Sequence, residues 1–372
     1  MYLIMLFLIV LIIIHIFRRR DFSSACRALI VRRPNTVSSK LASLAHNISN
    51  LVFKEESIWP FRKFFDIDGN EIVDIVSLGA PFREQKHFDL FKKIKEKDVK
   101  IIGISHYQEF PQQIINPFED TYAENHPFDY VKECDAWCYC QRNPEEIGLH
   151  MEKSLELVES DFAHFPTLLH FLKKKSLKEI QESFPKKYDF IYSCPQDPGN
   201  TCVKGWQAHC RNWKLAKKCL PILCTKMGLS GLLIGRNCEN ELKEMGIFDK
   251  ITRKDFLPYH EFIEEIASSK FLFIPNISDA SPRVATEAMS LNVPVLMNIN
   301  IVGGFKYVKY GVSGCLFHDE HDVEKCAKVA LKSLGAHKHF TTHWGKEQSA
   351  KKLGSFLQSL FPENNLPNLI TF

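Results

Sequence analysis

The sequence is short of several signals that would place it quickly. Its twelve cysteines include no pair at C-x-x-C spacing, which excludes the zinc ribbon and the thioredoxin-like redox motif. Cys134, Cys138 and Cys140 cluster without a second half for a metal site. They are read, like the others, as free and partly buried thiols in a reducing compartment. A strong charge of one sign is also missing. With 48 basic against 44 acidic residues the net charge is +4, too weak an imbalance for a nucleic-acid-binding protein. Runs such as Lys173-Lys174-Lys175 are then solvated surface. No internal repeat is visible, and no low-complexity tract beyond one apolar stretch, so solenoids and disordered tails are set aside.

What is present is ordinary globular protein on a large scale. The 372 residues, 45% hydrophobic and 25% charged, suffice for two domains with separate cores. Tyr2 to Phe17 is apolar except for His15, and Arg18, Arg19 and Arg20 follow it. A helix over residues 2–17 reaches about 24 Å, short of the roughly 30 Å hydrocarbon core, and snorkelling arginines cover the difference. No basic segment precedes the stretch and no small-residue cleavage site follows it, so it reads as a single membrane anchor over residues 1–20 rather than a cleaved signal. By the positive-inside rule the body that follows faces the cytoplasm; the alternative is a type II protein with a lumenal body. Two sequons, Asn47-Ile48-Ser49 and Asn276-Ile277-Ser278, bear on this choice.

Beyond residue 26, strand-like and helix-like segments alternate. Strands are expected at Arg27–Val31, Glu71–Val76, Val99–Ile104 and Asp135–Cys140, with a further short element at 154–158 and a helix at Phe88–Lys97. The lysine-rich helical pattern of residues 165–186 reads as a connection. A second series follows: strand Asp189–Tyr192, helix Asn212–Lys226, strand Gly231–Gly235, helix Tyr259–Ser268, strand Phe271–Ile274, helix Arg283–Ser290, strand Val293–Met297 and helix Asp322–Leu334. Such alternation predicts two doubly wound α/β domains, over 26–180 and 187–340, followed by a helix and tail over 341–372. Ligands of such folds bind in the cleft at the carboxyl ends of the strands.

The densest stretch runs from Ile274 to Met289: a strand end, a polar loop, and a helix beginning near Pro282. Proline suits a first helical turn and Ser281 suits its N-cap. The free N–H groups of that turn favour a diphosphate. Asp279 and Glu287 stand eight apart, one on the loop and one on the helix, where both could accept hydrogen bonds from sugar or ribose hydroxyls. The plainer alternative is a turn-capping aspartate and a surface glutamate.

This stretch resembles the signature of retaining GT-B glycosyltransferases, especially the large family four. Their E-x7-E becomes Asp279-x7-Glu287 here. Their E-A-M-A-x-G-x-P-V becomes Glu287-Ala288-Met289-Ser290-Leu291-Asn292-Val293-Pro294-Val295. Gly303-Gly304, the turn Gly311-Val312-Ser313-Gly314, Leu232-Leu233-Ile234-Gly235 and Tyr259-His260-Glu261-Phe262 fall at the matching places, so the resemblance spans roughly residues 188–334. Two departures stand out: aspartate replaces the first glutamate, and Ala280-Ser281-Pro282 replaces the G-F-G core. The glycine-rich first loop of many members is replaced by Val31-Arg32-Arg33-Pro34-Asn35.

The resemblance implies a GT-B fold and transfer of a sugar from a nucleotide-sugar to a glycan, glycolipid or protein acceptor, with retention. It implies no metal, because no D-x-D stands in a setting suited to a metal-bridged diphosphate. Asp279 and Glu287 would be catalytic, with His106 contacting sugar or acceptor from the first domain. The diphosphate contact would be Arg211 or Lys204, with Gly235, Arg236, Ser281 and Arg283 as further donor-binding candidates. A non-catalytic scaffold binding a glycan, nucleotide or protein is the rival reading, and a nucleotide-sugar epimerase a third.

Overall fold

The computed structural model describes residues 58–105, 110–111, 128–197 and 205–372, all within the unit Glu55–Phe372. The anchor, the strand expected at Arg27–Val31, the Asn47 sequon, His106 and Lys204 lie outside the described residues. Among the described residues no helix is long and apolar enough to cross a membrane.

Two six-stranded sheets organise the chain. The first contains β1 (Phe61–Asp66), β2 (Glu71–Leu78), β3 (Lys100–Ser105), β4 (Ala136–Tyr139), β5 (Ser154–Glu156) and β12 (Ile370–Thr371), in the order β12-β1-β2-β3-β4-β5. Strands β2 to β5 run parallel, whereas β1 is antiparallel to both β2 and β12. The second contains β6 (Tyr188–Ser193), β7 (Gly231–Ile234), β8 (Ile251–Lys254), β9 (Ser269–Ile274), β10 (Val295–Asn298) and β11 (Gly314–Phe317). Its pairings are all parallel, in the order β11-β10-β9-β6-β7-β8. Counted from β6, that is the doubly wound order 6-5-4-1-2-3, which reverses direction between β6 and β9.

Period-two alternation explains why both faces of the second sheet are covered. Phe190, Tyr192, Phe271 and Phe273 point to one face, where Trp213, Leu220 and Leu223 pack on them. Ile191, Leu272 and Ile274 point to the other, against Ile263, Ile266, Ala285 and Met289. The helices Tyr259–Ala267 and Arg283–Ser290 lie on this second face. In the first sheet, Phe64, Ile75, Ile102, Ile104 and Cys138 pack against Leu353, Leu357 and Ile370. The helix Lys346–Leu360 thus leaves the second series and covers the first sheet, and the chain then adds β12 to it. A Cβ on Gly354 would sit 2.2 Å from the Asn368 carbonyl oxygen, so this closure needs glycine.

Several local expectations shift. The helix expected from Asn212 to Lys226 begins at Trp213, after Asn212 at φ 51°. Its α-geometry ends at Pro221, and a π-turn covers Ile222–Lys226. Proline lacks the N–H that an α ladder needs, and the ladder widens beyond it. Residues 165–186 form two short helices, Phe165–Phe171 and Leu177–Ser183. Strands β1, β8 and β11 were not anticipated, because FRKFFD and ITRK interleave charges and β11 begins at a glycine of an expected turn.

The cysteines also differ from expectation at one position. Nine described cysteines are free and buried, but Cys238 is disulfide-bonded. Burial pushes the Cys138 and Cys140 thiols up to about 12, so they stay protonated at neutral pH. Among the described residues no group of three or more His, Cys, Asp or Glu is placed to hold a metal ion.

Candidate active site

The loop 275–282 leaves the carboxyl end of β9, at the point where the strand order reverses, which is where doubly wound sheets open a crevice. Its backbone is tied on several sides. The Asn298 side chain donates to Pro275 O at 3.0 Å. The Ile277 N–H donates to Cys210 O at 3.0 Å, the Val302 N–H to Ile277 O at 3.1 Å and the Gly303 N–H to Asp279 O at 3.0 Å. A Cβ on Gly303 would lie 2.0 Å from Ala280 O, and Gly304 adopts φ +87° beside Pro282. The expected glycine pair is therefore the surface on which the loop rests.

Asp279 and Glu287 go to different partners. Asp279 forms an ion pair with Arg211, Nη1 to Oδ2, and the same oxygen accepts from Asn276 Nδ2 at 3.0 Å. Arg211 follows the short helix Trp206–Cys210 at the amino side of Asn212, and its carbonyl accepts from the Tyr192 hydroxyl at 2.8 Å. Burial opposes the guanidinium charge, but Asp279 with Cys210 and Cys194 outweighs it and raises the Arg211 pKa. Its side chain keeps 29% of its surface, and that of Asp279 keeps 15%, so the pair is reachable from solvent.

Glu287 accepts from the Tyr259 hydroxyl at 2.8 Å. Desolvation raises its carboxyl pKa, against the lowering effects of that hydrogen bond and of nearby Arg283. Arg283 itself is exposed at the start of the helix.

Ser281 is not the helix cap. Pro282 occupies that position and no side chain caps the turn, while the Arg283 N–H already donates to Ser281 O at 2.8 Å. The Ser281 hydroxyl instead faces the first-sheet side. It accepts the Ser160 N–H at 3.0 Å and donates to the Ser160 hydroxyl at 3.1 Å. The Ser160 hydroxyl meets Tyr307 Oη at 2.7 Å, and Tyr307 donates to Asp161 Oδ1 at 2.7 Å. Since tyrosine has one proton to give, Ser160 is the donor to Tyr307. Fully buried Asp161 also accepts Lys306 Nζ at 2.8 Å. Arg142, just past β4, donates to Ile299 O at 2.6 Å and lies 3.6 Å from the Phe305 ring centroid. The carboxyl ends of β4 and β5 therefore meet the loops that follow β9 and β10.

Arg236 and Gly235 have interior duties. The Arg236 side chain has no exposed surface; it donates to Cys194 Sγ at 3.1 Å and Pro195 O at 2.9 Å and lies 3.6 Å from Asp197. The guanidinium of this donor-binding candidate is thus engaged by interior partners. The Gly235 N–H donates to Lys254 O at 2.9 Å, and its carbonyl accepts the Gln196 N–H at 2.7 Å. Asp197 accepts the Gln207 and Ala208 N–H groups at 2.8 and 3.1 Å, at the start of the helix Trp206–Cys210.

Sequence reasoning thus named Asp279, Glu287 and Arg211, and the structure joins Arg211 to Asp279. It missed Tyr259, Asn276 as a carboxylate partner, Ser160, Asp161 and Asp197. Asp197 alone carried a signal, an acidic residue in a loop after a strand and before a helix.

No protein-family profile matches the sequence, and no curated protein matches it. The fold does have counterparts among solved structures. HepE of Anabaena, in complex with UDP and glucose, superposes with a TM-score of 0.52 at 12% identity, over 86% of this chain and 83% of that one. Sucrose-phosphate synthase of Thermosynechococcus elongatus gives 0.51 at 12% identity, over 78% and 74%. The chain therefore has a GT-B-like fold built on two Rossmann-like sheets.

Proposed function

We propose that the protein is a glycosyltransferase that moves a sugar from a nucleotide-sugar donor to a glycan, glycolipid or protein acceptor. The observation that carries the reading is Arg211 held beside Asp279 at the reversal point of the second sheet, on a loop whose Ala280 and Ser281 meet Cys140, Val158 and Ser160 after β4 and β5. The second domain holds the donor and the first the acceptor. Arg211 takes the diphosphate, Glu287 accepts donor hydroxyls with Tyr259 fixing its direction, and Arg283 supplies charge at the mouth. A guanidinium in a partly desolvated crevice stabilises a departing diphosphate, the task a metal performs elsewhere. Transfer is metal-independent and, by the family resemblance, retaining. His106 and Lys204 remain candidate sugar and diphosphate contacts by sequence. The HepE complex with UDP and glucose supports a nucleotide-sugar as the donor class.

The test is a screen of nucleotide-sugars for hydrolysis by the full chain, with and without EDTA. Slow release of free sugar from one donor, unchanged by EDTA, is expected. Binding without turnover in every acceptor mixture would favour the scaffold reading, which the changed loop Ala280-Ser281-Pro282 motivates. Loss in EDTA with rescue by manganese would end the metal-independent mechanism.

We further propose that residues 2–17 anchor the protein with its body in the cytoplasm. Asn276 is buried and hydrogen-bonded, so a glycan on it would prevent this structure. The disulfide at Cys238 points the other way, toward an oxidising compartment. Protease protection on sealed microsomes decides: a protected body carrying a glycan on Asn47 or Asn276 would make it a lumenal type II protein.

A further inference from the structure

The geometry points to Asp279 as a competing anion: its carboxylate occupies the phosphate seat on Arg211, and a donor diphosphate binds by displacing it. The inference rests on the donor site placed at Arg211. Each described cation near that seat already faces a carboxylate. Arg211 pairs with Asp279. Arg236 is sealed inside beside Asp197. Lys306 is bound to Asp161 at 2.8 Å. The exposed Arg283 stands apart, on the helix that follows the loop.

Among the described residues, a diphosphate passing Arg283 therefore reaches cations that are already balanced by carboxylates. It also meets a carboxylate whose repulsion is weakly screened in a partly buried setting. The pair is end-on, one guanidinium nitrogen to one carboxylate oxygen. A phosphate, with its own fork of oxygens, can take the bidentate geometry that Asp279 does not use. Asn276 donates to the oxygen that Arg211 contacts, so the carboxylate has a second partner to retain when the guanidinium turns away. Exchange then costs one hydrogen bond of Asp279 rather than two.

Titration of the full chain with inorganic pyrophosphate, and with UDP, GDP and ADP, tests this. Asp279→Asn keeps the shape and the Asn276 contact and removes the competing charge. Asp279→Ser, which leaves space instead of an amide, serves as the second variant if the first fails to fold. Either is expected to bind pyrophosphate and the preferred nucleoside diphosphate about tenfold tighter or more, the scale of one charge-assisted hydrogen bond. Arg211→Ala should bind weaker, and Asp279→Asn should bring no gain once Arg211 is gone, a coupling a merely structural role would not produce. Unchanged or weaker binding in the Asp279 variants, with Arg211→Ala still defective, would overturn the competing-anion inference while leaving the donor site in place. Equal binding by wild type and Arg211→Ala, or no binding by any form, would overturn the donor site and this inference with it.

Discussion

Glu287 is a side chain at which the proposed chemistry and stability can be tested together. Its carboxyl is desolvated and its pKa raised above the ordinary 4.5. A raised folded pKa means that the folded state holds the proton more tightly than the unfolded chain. The stability so contributed is fully present below the unfolded value and is lost as pH rises through the folded one. Glu287→Gln keeps an oxygen for the Tyr259 hydroxyl but has no proton to lose. Donor turnover should therefore fall to background in this variant. As pH rises above the ordinary carboxyl value of 4.5, wild type should lose stability relative to it. Urea melts across that range, with a hydrolysis assay alongside, give both readings; parallel pH profiles would remove the desolvated carboxyl from the account. The Asp279–Glu287 spacing was legible in the sequence because a strand, loop and helix were. Their separate partners were not, because Tyr259 lies 28 residues before Glu287 and Arg211 lies 68 before Asp279, and nothing local encodes such pairings.

At the scale of elements, the buried strands were legible because their apolar runs are short and bounded. The helix Arg283–Ser290 falls at its expected bounds. Pro221 was visible, but its effect on the ladder was not. The Gly303-Gly304 pair was visible as a motif; its reason is the 2.0 Å that a Cβ would leave to Ala280 O. Gly303→Ala should therefore shift the loop 275–282 and lower stability by about 1–3 kcal/mol, the range of overpacking at a close contact. Denaturant titration of the variant measures this. A melt equal to wild type with unimpaired diphosphate binding would show that the loop does not rest on the pair. The chain Ser281, Ser160, Tyr307, Asp161 was not legible as a chain, since two serines, a tyrosine and an aspartate follow no spacing rule and are joined only when the two sheets meet.

For the molecule as a whole, the alternation of strands and helices was enough to foresee two Rossmann-like sheets, of which the second has the doubly wound order among the described residues. It did not foresee that residues 341–372 return to the first of them. The apolar positions of Lys346–Leu360 fit any sheet face, and β12 is two residues long. Truncation after Gly345 should expose Ile102, Ile104 and Phe64, lose the first sheet, and leave the second folded. Limited proteolysis with mass spectrometry reads this as a resistant fragment over about residues 187–340. An intact first domain in the truncated protein would show that Leu353 and Leu357 contribute little.

That return of the chain also sets an order of events during synthesis. A ribosome delivers β1 to β5 first, yet the helix that covers their apolar face and the strand that closes their edge arrive only after the entire second sheet has been made. The second sheet can fold as it emerges, while the first waits, with Phe64 and Ile104 open to the surroundings and the outer edge of β1 unpaired. A chaperone that holds nascent chains would find its substrate in residues 61–156, and it would be released from them by the arrival of residues 346–371.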